Sequence, residues 1–410
     1  MLSETHLAAV LTRTTMKKIL TLILICSALI SKADYWTQKA NFGGTARTEA
    51  AGFSIGTYGY IGTGNDGSNY LQDFWQWNQG TNTWTQKASI TISRQAATGF
   101  SIGSKGYICC GYNGSYLNDL WEYDPSNNQW TQKADFPSTG RRYPISFSIG
   151  NKGYVGTGNP NGPYETDLWE YDPSLDTWTS KATFAGIGRA GAVAFSIGTS
   201  AYLGTGNDNS GNFSSIDFWE WNQISNSWTQ KANLPGSERR VAGAFSIGGT
   251  GFICTGWDGT SYFTDLWEYD PAPNGWTQRA NFQGAGRSTP VSFSIGGYGY
   301  IGTGATPSLT NDFWEYHSVY TGIKEEPSQY SILIFPNPFS DVIRITLQRQ
   351  DLKQVSFTIK NFSEQIVFSV QENDLKKNYT KAIDLSFLSK GIYFLDVDID
   401  GERTVKKIVK

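Results

Sequence analysis

The chain alternates short apolar, aromatic-rich runs with breaks of glycine, asparagine, aspartate and serine. Phe53-Ser54-Ile55, Tyr58-Gly59-Tyr60-Ile61, Phe74-Trp75-Gln76-Trp77 and Trp84-Thr85-Gln86 follow one another in this way. Runs so short, rich in aromatic and β-branched residues and bounded by turn formers, predict strands joined by tight turns. Four such runs, a to d, make one unit, and the unit recurs. Trp36, Trp84, Trp130, Trp178, Trp228 and Trp276 each open Trp-Thr-(Gln/Ser)-(Lys/Arg)-Ala, at spacings of 48, 46, 48, 50 and 48 residues. Phe-Ser-Ile-Gly begins at Phe53, Phe100, Phe147, Phe195, Phe245 and Phe293, and an arginine stands six residues before each: Arg47, Arg94, Arg141, Arg189, Arg239 and Arg287. An aspartate opens each run c: Asp73, Asp119, Asp167, Asp217, Asp265 and Asp312. A fixed period of this length is the signature of a repeat architecture.

Over residues 36–316 the unit resembles the kelch repeat, with glycines closing the second strand, an aromatic in the third and a Trp opening the fourth. The adjacent glycine pair usual in that family is here Gly-Thr-Gly, as in Gly62-Thr63-Gly64. The resemblance implies an all-β chain whose main part is a six-bladed kelch-type β-propeller. Small residues in run a, such as Ala50-Ala51-Gly52 and Ala190-Gly191-Ala192, suit inner strands that converge on an axis. Radial repetition then leaves only short, protected edges. Trp36 to Ala40 is a strand d with no a, b or c before it, and the last unit, Arg287 to Tyr316, has no strand d after it. The N-terminal strand is therefore expected to complete the sixth blade.

Beyond residue 320 the pattern changes. Residues 321–410 contain no Trp and only three glycines, Gly322, Gly391 and Gly401. Residues 321–329 read as a linker, and 330–410 as a small C-terminal β-sandwich built from Ser331–Phe335, Val342–Leu347, Val355–Ile359, Ile366–Val370, Ile392–Val397 and Val405–Val409. Pro336-Asn337-Pro338, then Gly391 with Tyr393, then Lys406 and Lys407 near the end resemble the C-terminal sorting domain of type IX secretion. That resemblance implies the secretion machinery as a partner and removal of the tail on export, with the remainder released or displayed on the outer surface. At the other end, Met16-Lys17-Lys18, the apolar run Ile19 to Ile30 and Ser31-Lys32-Ala33 read as a signal peptide cleaved after Ala33, with Met16 as the true start. The apolar run is too short for a comfortable membrane span, so residues 34–320 are expected as an exported propeller without a transmembrane segment.

Composition and charge narrow the function classes. With 45 Gly, 15 Trp, 22 Tyr and 23 Phe in 410 residues the chain is too aromatic to be disordered. The net charge of −3 divides into +3 over residues 1–33 and −6 over the rest, with no basic footprint for nucleic acid. After the leader one histidine remains, His317, so His-based triads and multi-His metal sites cannot be assembled, and no cofactor is expected. Kelch-type copper oxidases use two histidines with a tyrosine, and this chain lacks them. Cys109, Cys110 and Cys254 are an odd set and not a disulfide framework.

Residues repeated in every blade serve the blade, whereas a residue that breaks the pattern on a loop is free for function. Fourteen of the 15 tryptophans belong to strands c and d as core residues; only Trp257 lies off the framework. The six Arg and six Asp read as structural pairs tying the d–a and b–c loops on one face. Arg142 and Arg240 are additional arginines on that face. The variable b–c loops contribute Asn65, Asp66, Tyr112, Asn207, Asp208, Trp257 and Asp258 as candidate ligand contacts. Turn chemistry alone accounts for many of their Asn and Asp residues, while Trp257 beside Asp258 also fits a sugar-stacking or peptide-anchoring site. Asn207-Asp208-Asn209-Ser210-Gly211 is oxygen-rich but lacks the full spacing of a calcium loop. The leading expectation is a non-enzymatic binding module for a glycan or a protein. Two alternatives stand beside it: a sugar mutarotase or epimerase acting on acidic sugars through Glu49 or Glu238, and a structural surface or matrix protein.

Overall fold

A computed structural model describes residues 34–210, 215–318, 331–335, 337, 339–348, 354–361, 365–373, 379–389, 391–399 and 402–410. The proposed leader and linker, Gly211, and Pro336 and Pro338 of the tail lie outside the described residues. The chain divides into two units, one ending at Ser318 and one beginning at Val319. Among the described residues no helix is long and apolar enough to cross a membrane.

The first unit has six four-stranded antiparallel sheets and one two-stranded pair, Arg189–Ala190 with Asn207–Asp208. Blade 1 is Ala51–Ile55, Tyr58–Gly62, Phe74–Asn78 and Thr83–Lys87; blade 2 is Thr98–Ile102, Lys105–Tyr112, Tyr116–Asp124 and Gln129–Lys133. Blades 3, 4 and 5 follow the same order, with inner strands Ile145–Ile149, Val193–Ile197 and Gly243–Ile247. Blade 6 takes Val291–Ile295, Tyr298–Gly302 and Phe313–His317 from the end of the unit and its outer strand, Tyr35–Gln38, from the beginning. Trp36 lies opposite Tyr316 in this closing pair. Each inner strand neighbours that of the next blade, and Val291–Ile295 returns to Ala51–Ile55, so the ring is closed.

The repeated residues explain the ring. The Phe of each inner strand packs onto the second strand of the following blade, where a side chain has no room. A Cβ on Gly106 would stand 2.1 Å from the Phe53 ring, and one on Gly251 1.9 Å from Phe195. Blade 4 alone uses an alanine there, Ala201, in one cluster with Phe147. At the rim each outer-strand Trp donates its Nε1–H to the alanine carbonyl that ends the motif one blade back. Trp84 reaches Ala40, Trp130 reaches Ala88, and Trp36 reaches Ala280 at 3.1 Å, which completes the circle. The side chains of Asn82, Asn128, Asp176, Asn226 and Asn274 accept the following backbone N–H groups, Ala40, Ala88, Ala134, Ala182 and Ala232, across the same seams. The tryptophans are less uniformly core than the repeat suggested. Trp36, Trp77, Trp121 and Trp221 are buried, while Trp84, Trp130, Trp178, Trp228 and Trp276 are half-buried because they stand at the outer edge.

The six arginines are all within 1 % of full burial, and each forks onto its aspartate at 2.5–3.0 Å. Each also donates to the carbonyl sixteen residues on, such as Thr63 or Cys110, and to the carbonyl two residues back. The Trp two residues after each aspartate shares that carboxylate, as Trp121 does with Asp119 at 2.6 Å. These donors are fully used inside the blade, so they are framework and not an open anion ring.

The second unit has a three-stranded sheet, Ser331–Phe335, Val342–Gln348 and Tyr379–Asp384, and a four-stranded sheet ordered Ile366–Asn373, Gln354–Lys360, Ile392–Ile399, Glu402–Val409. Ile343, Ile345 and Leu347 from the first and Val355, Phe357, Leu395 and Val397 from the second form one buried cluster. Tyr379–Asp384 was not among the strands expected from sequence; its apolar positions are too few to stand out. The sorting residues gather at the last strand. The Asn337 side-chain oxygen accepts the Val409 N–H at 2.9 Å, Gly391 and Lys410 exchange backbone bonds at 2.9 and 3.0 Å, and Tyr393 is buried. Lys406 and Lys407 pair with Leu395 and Phe394 along that strand.

Candidate functional site

The ring arginines also fix the channel mouth. The residue after each one pairs with the start of a b–c loop: Thr48 with Asn65, Gln95 with Tyr112, Arg142 with Asn159, Ala190 with Asn207, Arg240 with Trp257, and Ser288 with Ala305. The next residue in each blade turns toward the axis with positive φ: Glu49 at 57°, Ala96 at 53°, Tyr143 at 56°, Gly191 at 64°, Val241 at 47° and Thr289 at 49°. Five of the six are not glycine, and two are β-branched, for which this backbone is a true outlier. Such conformations cost on the order of 1–3 kcal/mol each and persist where the surroundings over-determine them.

A circle of backbone bonds supplies that constraint. The N–H groups of Ala96, Tyr143, Gly191, Val241 and Thr289 donate to the carbonyls of Glu49, Ala96, Tyr143, Gly191 and Val241 at 2.7–3.4 Å. At the sixth junction the hydroxyls of Thr48 and Thr289 hydrogen-bond directly. These six residues and the six that follow them line a cavity of about 150 Å³. Ligand sites for whole small molecules run to roughly 300–1,000 Å³, so this cavity is smaller than such a site.

Three alternate blades place chemistry there. Blade 1 gives Glu49, blade 3 gives Arg142 and Tyr143, and blade 5 gives Arg240; the matching positions in blades 2, 4 and 6 are Gln95-Ala96, Ala190-Gly191 and Ser288-Thr289. Because Ala96 is small, the Tyr143 phenol reaches past it and donates to Glu49 Oε1. Glu49 Oε2 and Arg142 Nε are buried with no hydrogen-bond partner. Burial pushes the Glu49 carboxyl above its ordinary range, against the Tyr143 hydrogen bond and the Arg142 charge. Burial likewise raises the Tyr143 phenol, which keeps it a neutral donor. The Arg142 guanidinium lies 5.9–6.0 Å from the rings of Tyr112, Tyr116 and Tyr143, and that of Arg240 lies 4.8 Å from Trp257. Burial lowers the Arg240 pKa.

The sequence candidates divide on this geometry. Arg142 and Arg240 stand at the mouth, with Tyr112 and Trp257 around them. Trp257 is half-buried and parallel to Tyr262 at 6.0 Å, so its ring already has two neighbours. Asp66 accepts the N–H groups of Ser68 and Asn69, and Asp258 those of Thr260 and Ser261, which holds both carboxyls below the usual range. The Asp208 carboxylate accepts the Ser210 N–H at 2.9 Å. Asn65 accepts from Gly67, and Asn207 donates to the Tyr164 hydroxyl at 2.6 Å. Turn formation therefore occupies the acidic loop residues. Glu238 is exposed and does not line the cavity. Tyr143 was missed from sequence, although it breaks the repeat at its position. Cys109, Cys110 and Cys254 are free and buried, in blades 2 and 5.

Comparison with known proteins agrees with this architecture. Residues 96–137 match the Kelch motif family, and residues 333–410 match the Secretion system C-terminal sorting domain. No curated protein matches the chain. A solved structure, that of YjhT, is similar at a TM-score of 0.58 and 18 % identity, over 68 % of this chain and 96 % of that one, and shows the fold alone. The sorting match gives a direct expectation. Removing residues 331–410 abolishes appearance of the propeller at the surface and in the medium, read by immunoblot of cell, surface and medium fractions; an unchanged extracellular amount would contradict it. The chain is an all-β, kelch-motif propeller that carries a type IX sorting domain and is exported to the cell surface or beyond.

Proposed function

We propose that the exported propeller is a non-enzymatic binding module that takes a glycan or protein ligand at its channel mouth. One observation carries the reading. Glu49 and Tyr143 line one cavity and are bonded to each other there, Arg142 acts on Glu49 and Arg240 on Tyr143, whereas the repeated arginines and aspartates are consumed by the frame. The cavity receives one end of the ligand, and Tyr112, Tyr116 and Trp257 offer aromatic surface beside it. Aromatic groups with a few placed polar partners suit sugar rings and peptide side chains alike.

The test is binding of the whole exported protein to a mixed array of glycans and surface proteins. A specific partner is expected, and Trp257→Ala is expected to weaken it at least about tenfold, or about 1.4 kcal/mol. Self-association with no partner on the array would favour the matrix role instead. A second reading has one observation of its own: a carboxyl raised by burial and bonded to a tyrosine suits proton transfer on an acidic sugar. Under that reading the same protein interconverts forms of the sugar and Glu49→Gln does not.

A further inference from the structure

The propeller contains nine arginines whose surroundings can be compared directly. Six are saturated by a carboxylate fork and carbonyls. In Arg142 and Arg240 the Nε is enclosed without a hydrogen-bond partner. Arg142 is half-buried, and no ion pair or side-chain hydrogen bond joins it to a described residue. Its neighbours are the rings of Tyr112, Tyr116 and Tyr143, which leave its planar donor edge unsatisfied. A guanidinium in that state is matched by a carboxylate, whose two oxygens take two parallel N–H donors. The cavity beside it, about 150 Å³, admits such a group.

Glu49 lines that cavity and opposes a second negative charge. Its Oε1 accepts from Tyr143, while Oε2 is enclosed and unpartnered. The charged and titratable groups around it are Tyr143 and Arg142 from blade 3, with Arg240 from blade 5 acting on Tyr143. Blades 2, 4 and 6 supply Ala96, Gly191 and Thr289, which carry no charge. A ligand carboxylate seated on Arg142 removes from Glu49 the cation that favours its ionised form and adds a like charge nearby. Building on the binding-module reading, we propose that Arg142 receives the carboxylate end of the ligand and that Glu49 takes a proton from solvent as it binds. The ligand enters as a monoanion and the mouth keeps its net charge. Affinity therefore falls as pH rises past the titration of Glu49 in the empty site.

Isothermal titration of the full chain tests this with four probes: glucuronate, its methyl ester, N-acetylalanine and N-acetylalanine amide. The two acids distinguish a sugar source of the carboxylate from a peptide source, and the two neutral compounds are their controls. At about pH 5.5 at least one acid is expected to bind about tenfold or more tighter than its neutral counterpart. Heats measured in buffers of different ionisation enthalpy are expected to show uptake of a proton, and binding is expected to weaken up to about tenfold per pH unit above the Glu49 titration. Arg142→Gln should erase the preference for the acid, and Arg142→Lys, which keeps the charge but not the fork, should reduce it. Glu49→Gln should retain acid binding and lose both the proton uptake and the pH dependence. Equal binding of acid and neutral probe, or acid binding unchanged in a folded Arg142→Gln, overturns the inference. An array ligand that depends on Trp257 but not on Arg142 would overturn it while leaving the binding module intact; absence of any ligand would remove both.

Discussion

Trp36→Ala is expected to lower the stability of the propeller by about 3–5 kcal/mol, the range for truncating a large buried aromatic. The same substitution at Trp84 is expected to cost clearly less. Both residues open the same motif and both donate to an alanine carbonyl one blade back. They differ in burial: Trp36 is only 4 % exposed, whereas Trp84 is half-buried. Trp36 packs edge-on against Phe282 and tilts against Tyr316, both at 5.0 Å. It also sits on the one outer strand that is not continuous with its own blade. Every other outer strand follows its neighbour through a tight turn, but Tyr35–Gln38 must return to Phe313–His317 from the far end of the unit. Loosening it leaves blade 6 with three strands and an open edge, and such edges template association. Urea unfolding followed by tryptophan fluorescence measures the two midpoints. Equal losses at Trp36 and Trp84 would show that closure adds nothing beyond local packing.

Arg94→Ala carries a second large effect, about 3–5 kcal/mol, because removing one partner of a buried pair strands the other. Arg94 is fully buried and Asp119 is 7 % exposed, the most enclosed aspartate of the six. The guanidinium holds both carboxylate oxygens, at 2.6 and 2.7 Å, and the carbonyls of Ile92 and Cys110. Without it Asp119 keeps the Trp121 indole, and two buried carbonyls lose a donor. Arg94→Met with Asp119→Leu is expected to recover a substantial part of the loss, since an apolar pair of similar volume avoids the stranded charge. Thermal unfolding of the two variants compares them. A double variant as unstable as the single one would mean that the loop carbonyls, and not the carboxylate, dominate.

The blades were legible because the physical demands on each are the same. A Phe needing a glycine opposite it, a Trp needing a rim and an Arg needing its Asp recur wherever a blade recurs. Closure was legible for the same reason: an orphan fourth strand at one end matches a missing one at the other. The tail was read from Asn337, Gly391 and Tyr393, residues that the fold brings to the final strand. The strand Tyr379–Asp384 escaped, since Tyr-Thr-Lys-Ala-Ile-Asp is polar enough to look like a loop, and it forms only through pairing with Val342–Gln348.

The mouth was legible in part. Arg142 and Arg240 stand out in the sequence as extra arginines beside the repeated ones, whereas Tyr143 does not. Sequence alone determined the six blades, their order, the closing strand, the sorting domain and the structural duty of the repeated arginines, because each follows from a residue type at a fixed spacing. Tertiary structure alone decided the channel. Glu, Ala, Tyr, Gly, Val and Thr share no chemistry that would announce one left-handed ring, and backbone bonds from blade to blade impose it. Which side chains meet there depends on alternate blades pointing to a common axis, a relation between residues almost a hundred positions apart, as Glu49 and Tyr143 are.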